Sequence, residues 1–487
     1  MVIPERIPNW IDGREQLAVD GCVLSKLNPA TGARLTEAAR SQEADVRVAV
    51  ASAKRAQSAW AALTPVNRGD LLRETALLMR ERQAAFAEIV ALETGKSRKE
   101  ALAETGAAVE MGMFVAGEGR RLYGRTTTSA VPGRSAFTVR QPLGVAGLII
   151  AANTPIANVA WKAYPALLCG NAAVMKAAED TPATAWAVAR LFSEVGIPPG
   201  VFNVVQGYGP EAGAPLVEHP EVDIVSFTGS AEVGRFIQRT AGERLAKVCL
   251  ELGGKNPLIV CDDANLENAV NVAVLSAFSN AGQRCASGSR LIIFDEVYDR
   301  FKTMLLDRTR QLRLGTSDND DLGPVINEAQ LNAMLAVVER AKADGATILA
   351  GGERLTDVSH RGGFYMAPTL IEGVAPEAEL SRCELFGPVS CLYRVGGFDE
   401  AVDVANVSPF GLTAAIHTAN IHRAMAFLGL IRSGVASVNG ATYGSEPHMP
   451  FGGLRQSGTG WREAGTEALD VYSDWKTIYI HHDPASV

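Results

Sequence analysis

A chain of 487 residues is longer than one hydrophobic core can serve, and its length suggests roughly three domains. Apolar residues make up 47% and charged residues 21%, the proportions of a globular protein rather than a disordered or membrane-spanning one. With 54 acidic against 46 basic side chains the net charge is −8, which argues against nucleic acid or an anionic membrane surface as a partner.

The opening MVIPERIPNWIDGREQ has no basic start followed by an apolar run, so no signal peptide is expected. The first 120 residues read as helical. Ser41 is placed to cap a helix with Glu43 and Asp45 in its first turn and Val46, Val50, Ala53 and Trp60 on its apolar face. A second helix is expected from about Asp70. It would carry Leu71, Leu72, Thr75, Leu78, Met79, Arg82 and Phe86 at helical spacing and stop at Gly95. Both read as packing without chemistry. GRTTTSAVPGRSAFTVRQP (124–142) reads as an extended hairpin, and the tail DVYSDWKTIYIHHD (470–483) alternates like a strand. Strands outside a main sheet need partners, and a second subunit would provide them.

From residue 143 the rhythm changes. VAGLIIA, AAVMKA, VFNVVQG, DIVSFTGS and KVCLELGG alternate with helical stretches such as TPATAWAVARLFSEVG and SAEVGRFIQRTA. Apolar runs about 20–30 residues apart with helices between them predict βαβ units and a parallel sheet covered on both faces. Ligands of such sheets bind beyond the carboxyl ends of the strands. The longest apolar run, LGVAGLIIAA (143–152), has about half the ~20 residues of a membrane helix. A further α/β segment is expected over about 255–465, with PLIVCD and RLIIFD as strands.

The strand ends carry the candidates. Gly229-Ser230 closes one strand and opens a helix, where free N–H groups suit a pyrophosphate. GYGPEAG (207–213) is one residue too long for a dinucleotide fingerprint. Lys176 and Glu179 follow AAVM and could grip an adenosine ribose; a carboxylate there would repel a 2′-phosphate, which favours NAD over NADP. Asn153 ends the first strand and carries an amide suited to an oxyanion. Glu251 lies in an apolar run directly before Leu-Gly-Gly. A lone carboxylate there is paired, protonated or in use, and burial raises its pKa towards that of a general base.

Seven cysteines, without a C-x-x-C pair, form neither a disulfide framework nor a zinc site, so no metal is expected and a reducing cytoplasm is. Six sit among apolar residues. Cys285, in SNAGQRCASGSR, stands among small neighbours that leave room for a substrate, with Arg284 beside it to lower the thiol pKa.

FTGS (227–230), ELGGK (251–255), GQRC (282–285), ELFGP (384–388) and PFGGLRQSGTG (450–460), in this order, resemble the aldehyde dehydrogenase superfamily, and the resemblance covers nearly the whole chain. It implies an α/β architecture: a Rossmann-like dinucleotide-binding domain (1–123 and 143–252), an α/β catalytic domain (253–468) and a small β oligomerisation arm (124–142 and 469–487). It also implies NAD as cofactor, a homodimer or homotetramer, and oxidation of an aldehyde through a cysteine thiohemiacetal and thioester. By the same resemblance Cys285 matches the nucleophile, Glu251 the base and Asn153 the oxyanion donor. Lys176 and Glu179 match adenosine-ribose contacts, Ser230 a pyrophosphate contact, and Glu384 the nicotinamide-ribose residue with Phe386 nearby. Trp161 and Lys162 match the substrate tunnel and its support.

Three positions depart from the family pattern. Ala151-Ala152 replace the usual Pro-Trp before the Asn, Ala177 replaces a proline, and Asp474 stands where a Glu often occurs, which leaves a proton-relay role there open. Glu251 favours hydrolysis over a CoA-acylating reaction. A cofactor-free thiol hydrolase would not need Lys176, Glu179 or Ser230. A non-catalytic protein on this fold would be expected to lose Cys285, Glu251 or Asn153. For the substrate, Arg284, with His448 in the loop before PFGG, points to a small acidic semialdehyde; a neutral or aromatic aldehyde is the alternative.

Overall fold

The structure, a computed structural model, describes residues 3–483. The five apolar runs become the parallel strands Val145–Ile149, Ala172–Lys176, Phe202–Val205, Ile224–Gly229 and Lys247–Leu252. All but the end of one and the start of another are buried, as continuous apolar runs require when both sheet faces are covered. Their spatial order is fifth, fourth, first, second, third. The order therefore reverses between Val145–Ile149 and Ile224–Gly229, where doubly wound sheets open a crevice. Helix Glu43–Ala62 packs Val46, Ala49, Val50 and Ala53 on one face of this sheet. Helices Pro155–Leu168 and Pro182–Glu194 cover the other.

A second seven-stranded sheet orders Thr347–Ala350, Thr369–Glu372, Val389–Val395, Gly288–Phe294, Asn256–Val260, Thr413–His417 and Val435–Val438. Its pairings are parallel except at the Thr347–Ala350 edge. The hairpin of Thr126–Thr127 and Arg134–Pro142 continues antiparallel into the tail strand Ser473–His481. The two outlying strands thus pair with each other, which leaves Ser473–His481 as the open edge. Among the described residues no helix is long and apolar enough to cross a membrane.

The N-terminal part departs from expectation. The first 40 residues hold five short strands, not helix: Arg6–Ile7, Asn9–Ile11, Arg14–Gln16, Val23–Leu27 and Arg34–Ala39. Asp12 (φ 57°) and Gly13 (φ 72°) form a two-residue hairpin turn that needs left-handed backbone, and its strands extend the first sheet. The cap of Glu43–Ala62 is Gln42, which exchanges bonds with Asp45 in a capping box. Ser41, one residue upstream, instead donates its hydroxyl to Asn9 Oδ1 at 2.9 Å. The second expected helix is two, Pro65–Glu81 and Gln83–Thr94, broken at Arg82 (ψ 19°) and ended by Gly95 in the left-handed region (φ 75°). Its start lies at Pro65, where Thr64 accepts from Asn67 N. A third helix, Arg98–Gly117, follows, capped by Ser97.

Candidate active site

One cavity of about 1190 Å³ lies between the two sheets. The first sheet reaches it from the carboxyl ends of its strands. Asn153 comes from the turn between Val145–Ile149 and helix Pro155–Leu168, Thr228 and Gly229 end their strand, Ser230 opens helix Ala231–Glu243, and Glu251 sits on Lys247–Leu252. The second sheet contributes the loops that enter its strands: Arg284 and Cys285 before Gly288–Phe294, Glu384 and Phe386 before Val389–Val395. The carboxyl-end rule therefore serves only the first half of the site.

Glycines bring these pieces together. A Cβ on Gly253 would fall 1.8 Å from Glu384 Oε2, and one on Gly254 would fall 2.5 Å from the Cys285 carbonyl oxygen. Gly254 N–H donates to Glu384 Oε1 at 3.0 Å. A Cβ on Gly282 would strike the Gly387 carbonyl at 2.1 Å, so the cysteine loop lies directly on the ELFGP loop. The Gly-Gly after Glu251 is thus the space into which the other two motifs fit. Asn256 Nδ2 donates to the Cys285 carbonyl (2.8 Å), and Thr442 Oγ1 to that of Ala286 (2.7 Å), which fixes the Cys285 loop from below.

Asn153 Nδ2 donates one hydrogen to the Gln283 carbonyl at 3.0 Å, and its other hydrogen meets no acceptor among the described residues. Ser230 Oγ accepts from Val233 N at 3.3 Å. Thr228 Oγ1, two residues upstream, is buried without a hydrogen-bond partner among the described residues. Trp161 meets Phe451 edge to face, centroids 5.4 Å apart. Arg284 stacks 4.9 Å over the Tyr443 ring and donates to Ser279 Oγ at 3.3 Å.

Residues 19–478 match the profile of the aldehyde dehydrogenase family. The chain is 38% identical over 475 residues to the alpha-ketoglutaric semialdehyde dehydrogenase of Bacillus subtilis, covering 97% of each. It is 40% identical over 464 residues to the betaine aldehyde dehydrogenase of Brucella ovis, covering 94% of each. The crystal structure of betaine aldehyde dehydrogenase from Staphylococcus aureus in complex with NAD+ superposes with a TM-score of 0.96 at 33% identity, over 98% of this chain and 95% of that one.

The chain belongs to the aldehyde dehydrogenase family. It is an aldehyde-oxidising oxidoreductase, and its mixed α/β fold is the aldehyde dehydrogenase fold.

Within this aldehyde dehydrogenase the electrostatics differ from the expectation at Cys285. Burial, then Glu384 and Glu251, push the thiol up to about 12, and Arg284 offsets only part of that. Burial likewise holds the Glu251 carboxyl well above the ordinary carboxylate range, with Glu463 reinforcing it and Lys162 opposing it. Neither Glu251 oxygen has a hydrogen-bond partner among the described residues. Glu384 is pushed up to about 7 by burial, against the pull of Gly254 N–H and Lys255.

Lys176 Nζ and Glu179 Oε2 pair at 2.5 Å at the end of their strand, outside the cavity lining. His448 also lies outside it, exposed and 3.6 Å from Glu446. Asp474 is not where a relay acid would be needed: it is mostly exposed and 3.7 Å from Lys247 on the arm. The acid that sequence reasoning missed is Glu463, buried 2.5 Å from Lys162 Nζ and 2.9 Å from Ser226 Oγ. It stands in GWREAG, outside any apolar run, and is held inward by backbone pairing with Phe451 and by its bonds to Lys162 and Ser226. Lys96, Glu100 and Glu104, which no sequence motif marks, line the cavity too.

Proposed function

We propose that the protein oxidises a small acidic semialdehyde to the corresponding acid with NAD, with Cys285 as nucleophile, Glu251 as base and Asn153 as oxyanion donor. The observation that carries the substrate class is Arg284. Its guanidinium lines the cavity beside the nucleophile and forms no ion pair with any carboxylate among the described residues. A cation held on an aromatic face in a partly dry site is a ready partner for a substrate carboxylate. The named relatives act on aldehydes of opposite charge. A quaternary ammonium brought beside Arg284 would be repelled, which favours the anionic substrate.

The residues fit a dinucleotide: a helix N-terminus at Ser230, the orphan Thr228 hydroxyl, Glu384 backed by Gly253, and the Lys176–Glu179 pair. NAD, when bound, supplies the acceptor for hydride. The chain's own work is proton and charge handling. Glu251 takes the Cys285 proton as sulfur adds to the carbonyl, since a thiol raised to about 12 does not ionise unaided near neutrality. The free Asn153 N–H and the Cys285 backbone N–H hold the oxygen. Cys285 then carries the acyl group as a thioester; Glu251, once it has passed the thiol's proton to solvent, draws a proton from water, and hydrolysis releases the acid.

The test pairs neutral and acidic aldehydes of equal length, with Cys285→Ala as the inactive control. Arg284→Ala should lower kcat/KM on the acidic aldehyde by roughly 30- to 1000-fold and leave the neutral one nearly unchanged. Equal losses on both, or none, would reduce Arg284 to scaffolding. They would shift selection to the Trp161–Phe451 wall and a neutral or aromatic substrate.

The sequence division stands as part of this proposal: nucleotide domain 1–123 and 143–252, catalytic domain 253–468, arm 124–142 and 469–487. So do a homo-oligomer formed through the arm and a cytoplasmic location, supported by seven cysteines that are all free.

A further inference from the structure

Lys96 and the first two turns of helix Arg98–Gly117 reach into the site with three charged side chains. Lys96 follows the left-handed Gly95, and its ammonium is buried at 3% exposure. Nζ donates to Glu104 Oε2 at 2.5 Å and to the Asn153 backbone carbonyl at 2.8 Å. Glu104 Oε1 in turn accepts from Ile156 N (3.1 Å) and Ala157 N (3.5 Å), at the start of helix Pro155–Leu168, where Thr154 provides no side-chain cap. One turn before Glu104 on helix Arg98–Gly117, Glu100 Oε1 accepts from Asn280 N at 2.7 Å. Asn280 Nδ2 then donates to the Asn153 carbonyl (3.1 Å) and to that of Gln283 (3.1 Å).

Asn280 and Ala281 both sit in the left-handed region (φ 53° and 52°), a conformation that non-glycine residues keep only when their surroundings impose it. The turn before Asn153 is Ala151-Ala152, with no ring to stiffen it. Two donors on the Asn153 carbonyl and a carboxylate on the next free N–H groups supply the fixation from outside. Because Asn280 bonds both Asn153 and Gln283, the turn holding the oxyanion donor and the loop holding Cys285 are set against one another.

We propose that Lys96, with Glu100 and Glu104, is a positioning group for the oxidation. It fixes Asn153 relative to the Cys285 loop and acts through Asn153 without touching substrate. The proposal rests on the assignment of Asn153 as oxyanion donor.

The experiment uses the full-length enzyme with Lys96→Met and Glu104→Gln combined, so that no buried charge is left unpaired. Aldehyde kcat/KM should fall by about 100-fold, the scale of a misplaced donor. The NAD dissociation constant, read by quenching of protein fluorescence, should stay within about twofold. On top of Asn153→Ala the same pair should add less than about threefold, because groups acting through one another are not additive. An undiminished kcat/KM with Asn153 present, or the full loss repeated without it, would overturn the proposal. If the pair fails to fold, shown by lost NAD quenching, Asn280→Asp is read by the same criteria, since it turns the shared donor into an acceptor. A fully active Asn153→Ala enzyme would overturn the Asn153 assignment and this proposal together, whereas an impaired one beside an unimpaired Lys96 pair overturns the proposal alone.

Discussion

Among the carboxyls that line the cavity with the thiol, Glu384 has the most tractable titration. Its side chain rests against Gly253, accepts from Gly254 N–H, and is pushed up to about 7 by burial. In the proposed role of accepting from ribose hydroxyls it would work best ionised, and a carboxyl with a raised pKa is ionised only as the pH climbs through that value. NAD affinity should therefore rise by roughly tenfold between pH 6 and pH 8, the change in ionised fraction across a pKa near 7. In Glu384→Gln the dissociation constant should be weaker and flat with pH. A wild-type constant that is flat over the same range would remove Glu384 from the cofactor site. Cys285 shows the same physics with a different outcome. The sequence places Arg284 next to it, but adjacency in the chain says nothing of burial, and burial with two nearby carboxyls outweighs one cation.

At the scale of elements, what could be read from the sequence depended on the period of the pattern. The five buried strands and their helices were legible because long apolar runs and turn residues mark them directly. The early strands were not: two to six residues with polar faces give too little periodicity, although Asp12-Gly13 between NWI and REQ was a hairpin signal that went unused. The site split the same way. Cys285 and Glu251 sit in motifs and Asn153 at a legible strand end, whereas Lys96, Glu104 and Glu463 owe their place to contacts about 50 to 300 residues away. Glu93 belongs to this second group. It is fully buried at the start of helix Pro182–Glu194, accepting from Ala183 N (2.6 Å), Thr184 N (3.0 Å) and Thr184 Oγ1 (2.6 Å). Burial raises it to about 7 against these bonds and the nearby Lys26. A carboxyl raised on folding contributes stability that is complete below its unfolded pKa, about 4.5, and lost as pH climbs through about 7. Relative to Glu93→Gln, the wild type should lose about 3 kcal/mol between pH 4.5 and 7.5, so its melting-temperature advantage should shrink or reverse. Parallel pH curves for the two proteins would show that Glu93 does not titrate in this range.

For the whole molecule the open question is what covers the arm. Ser473–His481 is paired along one edge only, and Tyr479 and Ile480 on it are 56% and 51% exposed, with Trp475 at 41%. A nine-residue strand with an unpaired edge and large apolar side chains is a template for another strand, and monomers avoid such edges with charge, proline or bulges. A net charge of −8 spread over the chain does not guard this edge, where Lys476 and His481 are the only basic side chains on the strand. A second copy of the chain, as proposed, would satisfy the edge by symmetry, which is how most homo-oligomers close. Each large apolar side chain buried on association contributes about 1.5–3 kcal/mol, so Tyr479→Lys combined with Ile480→Lys should raise the oligomer's dissociation constant by well over tenfold. Light scattering at micromolar concentration should then show the mass falling from a multiple of the chain mass to that of one chain. NAD quenching should persist in the same sample, because the cavity lining contains no residue of the arm strands. A wild-type chain that is monomeric throughout would remove the oligomer from the proposal. A variant that stays assembled would move the interface elsewhere, to the exposed Ile421, Met425 and Leu430 of helix Ile421–Leu430.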